Sequence, residues 1–223
     1  MTYLLLVLSV LVPFGFIYAF RPEKGEGMRL LLAFSGAYLL ALTTFELLPE
    51  VYQNTDTKTI GLFIILGIVL QIFLEFFSKG AEHGHVDLDD NNEKFPLLLF
   101  LSISIHAFIE GFPLEQYGGM IYVILIHKIP IALILSLFLL NSKIKRSYVF
   151  FFILLFSLMT PLGYLFASEY EMIGKYSDWI TAIVIGVFLH ISTIILFESS
   201  EGHTFNLRKL LVILLGVVLA YFL

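Results

Sequence analysis

Two histidines, a glutamate and a lysine stand where ionisable side chains are costly. The segment SISIHAFIEGFPLE, residues 102–115, holds His106 and Glu110, and YVILIHKIPIALILS, residues 122–136, holds His127 and Lys128. On a helix, His106 and Glu110 share one face a turn apart. Two imidazoles and a carboxylate are borderline ligands suited to zinc, iron, cobalt or nickel. Proline follows each cluster, at Pro113 and Pro130. Each lacks an N–H, so each is expected to break its helix and to free the carbonyl of Ile109 or Ile126 one turn earlier. Broken helices at membrane depth are tolerated where they line a cavity, and transporter sites tend to be built from them. Two blander readings stay open. A histidine can simply hydrogen-bond a neighbouring helix, and Lys128 with Glu110 can be a structural ion pair.

The elements that must position these groups follow from composition. The 223 residues are 59% hydrophobic and 14% charged, with a mean hydropathy of +0.93. A soluble domain carries about 25% charged residues, so the chain reads as an all-α integral membrane protein whose partner is the lipid bilayer. No nucleic-acid partner and no organic cofactor are expected. With no cysteine, disulfides, zinc fingers and thiolate catalysis are excluded. The first twenty residues lack a basic region and a small-residue cleavage site, so they read as a retained span rather than a signal peptide.

A helix crosses roughly 30 Å of hydrocarbon with about 20 apolar residues. That rule gives eight spans: 3–20, 28–49, 59–77, 95–114, 120–140, 148–167, 179–197 and 207–223. Together they form one transmembrane domain over residues 1–223. Only 78–94, SKGAEHGHVDLDDNNEK, is polar enough to be a flexible loop. Ten basic residues lie in the odd-numbered loops or at the span ends that border them: Arg21, Lys24, Arg29, Lys79, Lys94, Lys143, Lys145, Arg146, Arg208 and Lys209. The even loops hold only Lys58 and Lys175, and Lys128 lies inside a span. Basic residues stay cytoplasmic, so both termini should face outside and loop 78–94 the cytosol. The fourth and fifth spans then form an antiparallel pair. His106 and His127 fall at matching depth, roughly 10–12 Å below the outer surface at about 1.5 Å per residue.

Weaker signals surround this centre. His83 and His85 sit among acids in loop 78–94, as a loose metal-collecting tether or as plain solvated linker. Glu46 and Glu50, in TTFELLPE, stand a turn apart close to the outer surface. They are either a funnel for cations or merely hydrated. At the cytosolic end of the seventh span, FESSEGH offers Glu198, Glu201 and His203 as a release site, or as ordinary loop polarity. His190 reads as a structural hydrogen-bonding residue and Trp179 as an interfacial anchor.

Taken in order, these features resemble the ZIP (Zrt/Irt-like) family of divalent metal transporters. The resemblance covers nearly the whole chain: eight spans, a cytosolic His-containing loop after the third, HAFIEG in the fourth, and HKIP in the fifth. It extends to LLPE closing the second, TPLG in the sixth and GVFLHIS in the seventh. It implies a 3+2+3 helix arrangement with inverted repeats and a metal carried between the fourth and fifth helices. His106, Glu110 and His127 match the family's transport ligands. A homodimer is a family-level expectation. Many relatives have an adjacent second metal site, but the matching positions here are Ala107, Lys128, Ile131 and Thr160, none a carboxylate. The implied reading is a single metal, with Lys128 standing in for the second cation's charge, as in a family branch that carries His-Lys at this point. A non-transporting relative is the alternative.

The leading expectation is a carrier of Zn²⁺, or of Fe²⁺, Mn²⁺ or Cd²⁺, into the cytosol across the plasma (inner) membrane. An intramembrane metallohydrolase is a second reading, since an open zinc position can activate water. It lacks the His-Glu-x-x-His of metalloproteases, because His127 is followed by Lys-Ile-Pro-Ile. A proton-coupled carrier of another solute is the third.

Overall fold

The computed structural model describes residues 1–22, 25–53, 56–78, 94–117, 119–170, 174–198 and 207–222. Among these residues every regular element is helical. They are α1 (Thr2–Phe20), α2 (Glu26–Leu42), a π-helical turn (Thr43–Leu47), α3 (Leu48–Val51), α4 (Thr57–Ser78), α5 (Leu97–Ile109), α6 (Pro113–Gln116), α7 (Met120–Asn141), α8 (Arg146–Glu169), α9 (Ser177–Glu198) and α10 (Leu207–Phe222).

Among the described residues, seven stretches are long and apolar enough to cross a membrane: Thr2–Phe20, Glu26–Val51, Thr57–Ser78, Leu97–Gln116, Met120–Asn141, Arg146–Glu169 and Ser177–Phe197. The eighth expected span is α10, with 16 described residues. Several helices outrun the apolar runs that predicted them, because backbone hydrogen bonding continues into wet residues such as Glu26, Arg146 and Glu169. Large apolar side chains stay exposed along them, for instance Leu62, Ile65, Val69, Phe73 and Phe76 on α4. An exterior of that kind needs lipid rather than water.

The π-helical turn has a local cause. Pro49 cannot donate to the Phe45 carbonyl, and the Leu48 N–H reaches back to Thr43 instead. The hydroxyls of Thr43 and Thr44 bond the Leu39 and Leu40 carbonyls at 2.7 and 2.8 Å, which further loosens the helix ladder. Asp56 caps the start of α4. Its carboxylate accepts bonds from the Thr59 N–H and the Thr59 hydroxyl, both at 2.9 Å. These bonds hold the Asp56 carboxyl below its ordinary range.

The chain divides into two compact units. The first comprises Met1–Lys24 and Phe73–Glu169. In it α1 packs on α7 and α8, α5 packs on α8, and the short α6 rests on both α7 and α8. Leu6, Val10, Phe14 and Ile17 form a buried stripe on α1 at helical spacing. α7 is the most enclosed of the candidate spans. The second unit comprises Gly25–Ile72 and Tyr170–Leu223. There α2 packs on α9 and α10. Gly67 of α4 meets α9 so closely that a Cβ on it would lie 2.0 Å from the Ile183 carbonyl oxygen. Small residues let apolar membrane helices approach in this way. Trp179, read from sequence as an anchor, stacks on Phe63 with ring centroids 5.1 Å apart.

Candidate metal site

Within the first unit, α5 carries His106 and runs into Glu110, which closes the helix with its N–H still bonded to the His106 carbonyl at 3.1 Å. Beyond it the backbone tightens. The Gly111 N–H bonds Phe108 O at 3.2 Å and the Phe112 N–H bonds Ile109 O at 3.1 Å. Pro113 then opens α6. The Ile109 carbonyl is therefore not freed as expected, because Phe112 supplies the donor that proline lacks. The helix does break before Pro113, but the second expected break is corrected. α7 runs uninterrupted from Met120 to Asn141 with Pro130 inside it, since a helix packed on its neighbours can absorb one lost bond.

His106, Glu110 and His127 come together with one ligand atom from each inside a 4.8 Å group. All three are almost fully buried, as is Lys128. The His106 and His127 rings lie 6.2 Å apart at 76°. The His106 Nε2 stands 3.4 Å from Glu110 Oε2. That is close to the separation of roughly 3.4 Å between ligands that sit about 2.1 Å from a tetrahedral zinc.

The two oxygens of Glu110 have different surroundings. Oε1 pairs with the Lys128 ammonium and accepts a bond from the Thr160 hydroxyl at 2.8 Å. Among the described residues, Oε2 has no hydrogen-bond donor and neither ring nitrogen of His106 has a hydrogen-bond partner. Buried polar atoms left in that state are costly unless something else takes their lone pairs. Lys128 Nζ also lies 5.0 Å from the centre of the Phe156 ring, which offers its negative face to the cation.

Thr160 and Phe156 were not singled out as partners by sequence reasoning, although Phe156, Thr160 and Gly163 recur at the spacing of one helix face. What brings Thr160 into reach is a glycine crossing. A Cβ on Gly111 would lie 2.4 Å from Thr160 O and 2.7 Å from Tyr164 N. Only glycine at both 111 and 163 lets α8 come that close to the end of α5.

The other sequence candidates fall elsewhere. Glu46 lies in the π-helical turn and Glu50 in α3, both exposed and both in the second unit. Among the described residues they join no group of three metal-capable side chains. His190 is half-buried on α9. Glu198 is the last residue of α9, while His83, His85, Glu201 and His203 lie outside the described residues.

Residues 95–223 match the model of the family described as ZIP Zinc transporter. The chain is also 27% identical over 148 residues to Zinc transporter ZIP1 of Danio rerio, an alignment that covers 61% of this chain and 49% of that relative. The chain thus spans about half the length of the curated relative that it matches.

Proposed function

Since the chain belongs to the ZIP zinc transporter family, we propose that it carries a divalent cation, Zn²⁺ foremost, into the cytosol through one site made by His106, Glu110 and His127. The observation that carries this reading is the buried three-ligand group whose His106 nitrogens and Glu110 Oε2 lack hydrogen-bond partners among the described residues. Two nitrogens and one oxygen leave room for water on the ion, which suits binding followed by release better than a closed four-ligand site. The charges agree. With neutral imidazoles the Glu110–Lys128 pair sums to zero, so a dication is attracted less strongly than by an unpaired carboxylate, and this favours transit over storage. In this reading Lys128 takes the place of a second cation. All four residues belong to one compact unit, which supports alternating access by movement of an intact site.

The remainder of the reading rests on the sequence. Eight spans in a 3+2+3 inverted arrangement form a single transporter domain in the plasma (inner) membrane, with both termini outside. Glu46 and Glu50 gather cations, while His83, His85, Glu198 and His203 receive them in the cytosol. Fe²⁺, Mn²⁺ and Cd²⁺ are further cargo, and two copies form a dimer. Hydrolysis is disfavoured by the same geometry. Glu110 would have to act as ligand and as base, yet one of its oxygens is already held by Lys128 and Thr160.

The test is metal uptake into proteoliposomes by the native chain and by His106→Ala. Saturable zinc uptake that disappears in the variant supports the carrier and its site together. Well-folded native protein that moves no divalent metal would sink the reading.

A further inference from the structure

We propose that Thr160 is a positioning residue for this site: its hydroxyl ties Glu110 to α8 so that one carboxylate oxygen, Oε2, faces the cation. The inference deepens the cation-site reading above and rests on it.

Thr160 is fully buried. Its Oγ1 lies 2.8 Å from Glu110 Oε1 and 2.8 Å from Ala107 O, and its single proton serves one acceptor at a time. Both acceptors belong to the end of the α5 span. The Ala107 carbonyl needs an outside donor because the Gly111 N–H has turned to Phe108 O. On either acceptor, the hydroxyl fastens the turn that carries Glu110 to α8. The crossing at Gly111 and Gly163 leaves that contact little slack, since backbone lies against backbone there.

Lys128 shares Oε1, but its ammonium rides on a flexible four-carbon stem. Threonine is short and stiff at χ1, so it fixes a direction where lysine supplies mainly charge. With Oε1 occupied twice, Glu110 offers the ion Oε2, the oxygen that already lies 3.4 Å from His106 Nε2. Glu110 is then a one-oxygen ligand, and the remaining coordination places go to water.

The test compares native protein, His106→Ala, Thr160→Val (similar shape, no hydroxyl), Thr160→Ala and Thr160→Ser. Initial rates of Zn²⁺ uptake into proteoliposomes are measured over a range of concentrations. Melting temperatures and Co²⁺ absorption spectra are recorded on the same preparations. Thr160→Val is expected to raise KM roughly tenfold or more, the effect typical of losing a group that orients a metal ligand. Vmax should hold, the Co²⁺ spectrum should change, and Thr160→Ser should restore the native KM. Thr160→Ala repeats the comparison if the valine variant does not fold. A native KM in both hydroxyl-free variants overturns the proposal, as does a fall in melting temperature with KM and spectrum unmoved, which would mean a purely structural bond. Either result leaves the carrier reading intact if His106→Ala is still dead. Native protein that neither takes up zinc nor binds Co²⁺ through His106 removes the carrier reading and this proposal with it.

Discussion

Gly163 on α8 and Gly111 at the end of the α5 span are in backbone contact: a Cβ on Gly163 would lie 1.9 Å from the Phe108 carbonyl oxygen and 3.4 Å from the Gly111 Cα. No rotamer change relieves a clash with backbone, so the helices must part. Gly163→Ala should cost about 1–3 kcal/mol, the usual toll of overpacking, and should move Thr160 away from Glu110. Gly15 on α1 is the control, because a Cβ there meets nothing within 4 Å among the described residues. Alanine at 15 should be neutral or slightly stabilising, as it removes a helix-interior glycine. Melting temperatures of the two variants in detergent check this. Equal melting would mean that the crossing is not tight in solution.

Lys128 balances Glu110 in the absence of metal. Lys128→Met keeps the stem and removes the charge, leaving a buried carboxylate uncompensated. Breaking one side of a buried pair costs about 3–5 kcal/mol. A bound dication returns the missing positive charge, so added Zn²⁺ should raise the melting temperature of Lys128→Met more than that of native protein. The reading of Lys128 as a stand-in for a cation fails if zinc stabilises both equally.

The extent to which this could be seen in the sequence varied with the range of the interaction. His106 and Glu110 share a face because they are four apart on one helix, and a local rule suffices. The approach of His127 needed only the matching depth of two antiparallel spans. Thr160 was placed near the site only by the resemblance, as a position without a carboxylate, and its bond to Glu110 went unread for a different reason. It lies fifty residues from Glu110, carries no charge, and becomes a partner only through a glycine crossing whose closeness is a tertiary fact. Pro130 misled because proline's local cost is large, yet packing around α7 outweighs it. The π-helical turn at 43–47 also went unread. It depends on Pro49 together with two hydroxyls that bond backwards, a combination with no fixed spacing.

Asp56 gives a pH test away from the site. Bonds from the Thr59 N–H and hydroxyl lower its pKa from the ordinary 3.8. A depressed carboxylate pKa means that the unfolded chain binds its proton first, so the stabilisation is complete above the ordinary value and is lost as pH falls through the folded one. Asp56→Ala should therefore melt below native protein at pH 7, and the gap should narrow as pH drops beneath about 4. A gap unchanged down to pH 3 would show that the cap acts without its charge.

Uptake itself should be acid-sensitive. Histidine must be neutral to ligate metal, and an imidazole ordinarily protonates near pH 6.5. The sign follows: protons and the cation compete for the same imidazole nitrogens, so zinc uptake should fall as the external pH is lowered, chiefly through a rising KM. Excess zinc should recover much of the rate. His106→Ala and His127→Ala should show little uptake at any pH, because each removes one of three ligands. Rates measured from pH 8 to 5.5 at several zinc concentrations decide the matter. Faster uptake in acid would mean that protons drive the carrier rather than compete for its site, and would reassign the histidines to proton relay.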